Sequence, residues 1–119
     1  ALPATVDFVA GAFPDVPIII AHLGTQGELF TIEALLVAER HENVYLETSW
    51  AMPHMIIEAA HTVGAARLIF GSNCPPLAPT QQIMNVEAAL VFDPPIGMGA
   101  SPDDALKVLG GNLAHLLGL

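Results

Sequence analysis

Positive charge is scarce in this chain. Arg40, Arg67 and Lys107 stand against twelve acids, and the formal net charge at pH 7 is −9 with histidine neutral. Such a balance repels phosphate backbones and anionic lipid, which argues against nucleic acid and membrane surfaces as partners. Cysteine is scarcer still: Cys74 stands alone, so no internal disulfide can form, in agreement with a reducing, cytoplasmic location. No apolar run approaches the ~20 residues needed to span a bilayer, and no basic segment leads into an apolar one at the start, so the chain reads as soluble.

What the sequence does have is apolar residues. They make up 53% of its 119 positions, with a mean hydropathy of +0.57. That is rich for a small chain, because small domains cover a lower fraction of their surface on folding. Some of this surface is expected to meet another segment or another chain. The sequence also opens at Ala1 rather than a methionine, which raises the expectation of a carboxy-terminal piece of something longer.

The apolar residues are organised in a threefold recurrence, PIIIAHLG, NVYLETSW and RLIFGSNCP. His22 precedes Glu47 by 25 residues, and Glu47 precedes Ser72 by another 25, the size of one βα unit each time. This spacing predicts an α/β fold of three consecutive parallel βα units. Parallel sheets place their chemistry at the carboxyl ends of the strands, where His22, Glu47, Ser49 and Asn73 fall.

The strands are predicted over Ile18 to Ala21, Asn43 to Thr48 and Leu68 to Phe70. The alternation in the second puts Tyr45, Glu47 and Ser49 on one side and Val44, Leu46 and Thr48 on the other. Ile18, Ile20 and Tyr45 are expected on the face that would line a barrel. An acid against covering helices would be costly to bury, so Glu47 is assigned to the polar centre. Between the strands, Val6, Val9 and Phe13 mark a first helical stripe, and Leu29, Ile32 and Leu36 a second that ends near Arg40 and His41. Ile56, Ala59, Ala60 and Val63 mark a third, closed by Gly64. A further helix is expected from Thr80 to Val91. Ser101-Pro102-Asp103-Asp104 starts another; Gly110-Gly111 is expected to break it, with Asn112 capping a short final helix.

FPDVPIIIAHLG, ENVYLETS, VGAARLIFGSNCP and GGNLAHLLGL occur in the order and spacing of a known family, from about Phe13 to Leu119. Together they resemble the amidohydrolase-related (amidohydrolase 2) family of metal-dependent hydrolases and decarboxylases. The resemblance implies a TIM-like (β/α)8 barrel. Because a closed barrel usually takes about 250 residues, residues 1–119 would form a single partial domain, the last three units, not closed on its own.

The resemblance also implies roles. His22 matches a catalytic or substrate-polarising histidine at the end of the sixth strand. Asn73 matches a position, usually aspartate in a GSD motif, that ligates the metal or activates its water. An amide oxygen can coordinate a cation but carries no charge and takes no proton. The family's His-x-His pair and fifth-strand histidine have no counterpart in this sequence. A divalent metal such as zinc ordinarily needs about three protein ligands, so it is expected in the complete barrel and weakly or not at all in this chain.

Glu47, Ser49 and Trp50 are candidates for substrate binding, His22 and Asn73 for catalysis, and Asn73 for metal ligation. His54 and His61, about 10 Å apart along one helix, and His115 read as surface or packing residues, and Cys74 as a small packed thiol. The expected activity is hydrolysis or decarboxylation of a small carbonyl- or carboxylate-bearing substrate once the missing strands are supplied. The alternative is a non-catalytic relic or interaction module of the same fold. The expected partners are a small molecule and the missing barrel strands, or self-association in their place.

Overall fold

A computed structural model describes residues 2–24 and 27–119. Three short strands, β1 (Ile18–Ile20), β2 (Val44–Glu47) and β3 (Leu68–Ile69), lie side by side in the order β1-β2-β3, all parallel. This is an α/β fold with an open sheet. Each strand is a residue or two shorter than the apolar run that predicts it. Register sets the faces: Ile18 lies opposite Val44, Ile20 opposite Leu46 and Leu46 opposite Leu68, while Ile19 lies opposite Tyr45 and Glu47 opposite Ile69.

Residues paired in register point to the same face. Ile20, Val44, Leu46 and Leu68 are therefore the helix-covered side, and all four are buried in one cluster. Each such side chain contributes about 1.5–3 kcal/mol by leaving water. The face shared by Tyr45 and Glu47 takes Ile19 from β1, which corrects the expectation of Ile18 and Ile20 there. Three isoleucines in a row carry no alternation to fix the parity.

The described helices are α1 (Val6–Ala12), α2 (Glu28–Arg40), α3 (Pro53–Val63), α4 (Pro79–Leu90), α5 (Pro102–Leu106) and α6 (Asn112–Leu116). Pro53, Pro79 and Pro102 each open one, where a missing amide proton costs nothing. Ser101 Oγ accepts the Asp103 N–H at 3.1 Å, the cap expected from the sequence. Ala34 and Ala38 of α2, Ala59 of α3 and Ala89 of α4 are fully buried, and their small side chains bring the helices close to the sheet and to one another. No helix among the described residues is long and apolar enough to cross a membrane.

One helical stripe is split and another faces the other way from expectation. On α1 Val6 packs against the core with buried Ala10, while Val9 and Phe13 are exposed; on α2 the buried residues are Thr31, Ala34, Leu35, Val37 and Ala38, with Leu29, Ile32 and Leu36 exposed. The third stripe is as read, with Ile56, Ala59 and Ala60 buried. Gly110-Gly111 does not break the last helix. The chain passes from α5 through a π turn, Lys107–Gly111, straight into α6. In that turn the Val108 carbonyl accepts the Phe70 N–H at 3.0 Å, which stitches the end of β3 to the helix.

Side-chain amides do much of the remaining fastening. Asn112 does not cap α6; its Nδ2 donates to the carbonyls of Ala65 (2.7 Å) and Leu68 (2.8 Å) at the start of β3. Asn43 does the same at the start of β2, reaching Phe13 O at 3.0 Å and Val16 O at 2.9 Å. Arg67 Nη1 donates to Ala38 O (2.6 Å), a carbonyl left over at the end of α2, and to His41 O (3.0 Å), which also accepts the Val44 N–H. Arg40 and His41, expected to favour that helix end, also hold Asp7 of α1, at 3.1 and 3.0 Å.

Candidate functional site

All three strands turn sharply at their carboxyl ends, and each turn contains a non-glycine residue in the left-handed region. φ is 57° at His22, 63° at Trp50 and 56° at Asn73. Leu23 follows His22 with φ 47°, and Gly24 closes that turn at φ 95°, where an added Cβ would overlap the Phe30 backbone. Asparagine adopts this conformation readily. For histidine and tryptophan it costs about 1–2 kcal/mol, so a specific contact must hold them.

At His22 that contact is Glu47. From the end of β2, Glu47 Oε2 accepts the His22 backbone N–H at 2.9 Å, while Oε1 accepts the Ser49 N–H and Oε2 the Ser49 hydroxyl, each at 2.7 Å. Three donors on one carboxylate meet the need of a charge whose side chain is only 16% exposed. Ser49 Oγ also lies 2.5 Å from His22 Nδ1, and Nδ1 is 3.6 Å from Glu47 Oε2. Trp50 stacks on the His22 ring, centroids 5.9 Å apart at 30°. His22, Glu47, Ser49 and Trp50 thus form one cluster on one rim, with the His22 side chain 32% exposed.

Asn73 stands at the end of β3 on the same rim, half-buried in its turn. No hydrogen bond joins it to His22, Glu47, Ser49 or Trp50. Cys74 next to it is exposed, contrary to its reading as a packed thiol, because the proline-flanked loop carries it away from the core. His54, His61 and His115 are exposed on their helices.

Two residues that build the site carry no chemistry of their own and escape a search for reactive groups. Gly71 lies against Glu47, and a Cβ on it would fall on the carboxylate. Gln82 of α4 is fully buried and donates from Nε2 to Thr48 O (2.6 Å) and Ala51 O (3.1 Å), bracing the turn that carries Ser49 and Trp50. A signal for Gln82 is present in the sequence, since it shares a helix face with Val86 and Ala89, also buried. An amide on such a face needs partners.

Among the described residues, no three His, Cys, Asp or Glu side chains form a group able to hold a metal ion. His22 and Asn73 alone are too few donors for a closed site. The arrangement that is present is a hydrogen-bonded imidazole, hydroxyl and carboxylate, able to hold and move a proton at His22.

A comparison with curated protein sequences gives no match. The family model for amidohydrolases matches residues 1–119, the whole chain, with the three strand-end turns inside the match. Taken with the parallel βα units and the polar rim they carry, this end-to-end match means that the chain belongs to the amidohydrolase family, with the hydrolase-type function that membership carries.

Proposed function

We propose that this chain supplies the last three βα units of an amidohydrolase barrel, in which His22 is the acid–base group acting on a small carbonyl- or carboxylate-bearing substrate. The observation that carries the reading is the meeting of His22, Ser49 and Glu47 at the carboxyl ends of two parallel strands, with the imidazole bonded inward through Nδ1 and a third of its side chain open. A group so placed takes or gives a proton in the transition state, a role worth about 10²–10⁴-fold in rate. Trp50 forms a wall over the ring and is assigned to substrate contact, as is Asn73, whose amide orients a bound oxygen from the neighbouring turn.

The family is typically metal-dependent, but the described residues of this chain do not make a metal site. A divalent ion such as zinc would need donors from strands outside this sequence, and no part of the role given to His22 runs through it. Hydrolysis and decarboxylation of such substrates both involve a proton transfer, so the role given to His22 does not choose between them.

The test is made on the chain joined to the remaining strands of a barrel. Turnover of carboxylate, lactone and amide substrates is measured for that protein and for its His22→Gln variant. The expected result is a fall in kcat of about 10²-fold or more with little change in KM. Full activity in His22→Gln would take the acid–base role away from His22, and no turnover in the complete barrel would leave a non-catalytic module of the same fold as the better reading.

A further inference from the structure

We propose that Ser49 and Glu47 are positioning residues that fix the tautomer of His22, holding its proton on Nδ1 and leaving a lone pair on Nε2, so that His22 enters the reaction as a base. The proposal rests on the acid–base reading of His22 and adds the direction in which it works.

Counting protons gives the direction. Ser49 has one hydroxyl proton, and an ionised carboxylate has none. Ser49 Oγ is 2.7 Å from Glu47 Oε2 and 2.5 Å from His22 Nδ1. Were the hydroxyl proton aimed at His22, two oxygens, one of them charged, would face each other at 2.7 Å with lone pairs only. Aimed at Glu47, it forms a charge-assisted hydrogen bond, and Oγ is then free to accept one. The donor must be His22 Nδ1–H.

Burial makes this arrangement the only one available. Ser49 is 2% exposed, so water does not compete for its oxygen. The same Glu47 oxygen accepts the His22 backbone N–H, which ties the main chain and the ring of His22 to one carboxylate. Trp50, stacked on the imidazole, limits rotation of the ring, so the inward nitrogen stays Nδ1.

The chemical consequence is specific. Nε2 accepts a proton from an O–H or C–H of substrate or water, and the electron pair of that bond stays on the atom that loses the proton. The imidazolium so formed keeps both of its N–H groups, with Nδ1–H still on Ser49 and the Glu47 carboxylate 3.6 Å from Nδ1. The negative charge therefore acts on the developing cation at one remove, through a neutral hydroxyl that needs no rearrangement.

The experiment is ¹⁵N NMR of the full chain labelled at histidine nitrogens, in solution or as sedimented assemblies, above the pH at which the rings are neutral. His22 is assigned by loss of its signals in His22→Gln. The expected result for the wild type is the Nδ1–H form in about tenfold or greater excess, the ratio one charge-assisted hydrogen bond sustains. In Ser49→Ala the excess collapses. In Glu47→Ala the freed hydroxyl donates to Nδ1 and the proton moves to Nε2. A wild-type His22 in the Nε2–H form overturns the proposal, as does an Nδ1–H form unchanged in both variants. Should Glu47→Ala fail to fold, the wild type and Ser49→Ala decide alone. No substrate is present, so the result is independent of whether the complete barrel turns over.

Discussion

Gly71 and Glu47 are in such close contact that one added methyl group on the glycine would occupy the space of the carboxylate. The glycine follows β3 and the glutamate ends β2, so the hydrogen-bond centre of the rim depends on a missing side chain in the next strand.

Gly71→Ala is therefore expected to displace the Glu47 side chain and break its bonds to His22 and Ser49. Overpacking at a fitted contact costs about 1–3 kcal/mol. Denaturant unfolding should show a lower midpoint at unchanged slope. The pair should also be non-additive, with Gly71→Ala costing little more once Glu47 is already Ala. Equal costs in both backgrounds would mean that the two residues do not share this space.

Gln82 gives the second prediction. Gln82→Leu keeps the volume of the side chain but removes the donor held by Thr48 O and Ala51 O. Thr48 O keeps the Ala51 N–H at 3.0 Å and Ala51 O a longer bond from Asn85 Nδ2 at 3.4 Å, so the loss is that of two hydrogen bonds, about 0.5–1.5 kcal/mol each. The turn after β2 should also open locally, so amide exchange at Ser49 and Ala51 should accelerate more than at Leu46, which lies inside the sheet. A loss below about 0.5 kcal/mol with unchanged exchange would show that Gln82 does not brace the turn.

The strands and rim were legible in the sequence because their signals are local. Short β-branched runs ending in polar residues at constant spacing mark parallel strands, and His22, Glu47, Ser49 and Asn73 fall at their ends. What was not legible depends on distant partners. The parity of Ile18, Ile19 and Ile20 is set only by register with Val44, Tyr45 and Leu46. Gly110-Gly111 looks like a stop, yet the helix widens into a π turn, and Asn112 is drawn to carbonyls of Ala65 and Leu68. Nothing near Asn112 in the sequence announces a contact with residues more than forty positions away. The exposed stripe of Leu29, Ile32 and Leu36 has the correct period for a helix, and period alone does not say which face a helix buries.

The last prediction concerns how the 119-residue chain behaves alone. Among the described residues, β1 and β3 each pair only with β2, leaving two strand edges, of which the Phe70–Val108 bond covers a small part of one. Ile19 is 43% exposed on the face that carries Glu47, and Phe8 is 83% exposed on α1. Open edges and apolar faces favour association, while the net charge of −9 opposes it by mutual repulsion. Salt separates the two effects, because it screens charges beyond about 8 Å at physiological ionic strength but does not weaken apolar contact. The chain is therefore expected to self-associate at micromolar concentration, more strongly at physiological than at low salt. Substituting Ile19 by a charged residue should reverse this. Sedimentation showing a sharp monomer at both salts, with a cooperative melt and no binding of a hydrophobic dye, would mean that this sheet is self-sufficient and that the barrel reading of the chain is wrong.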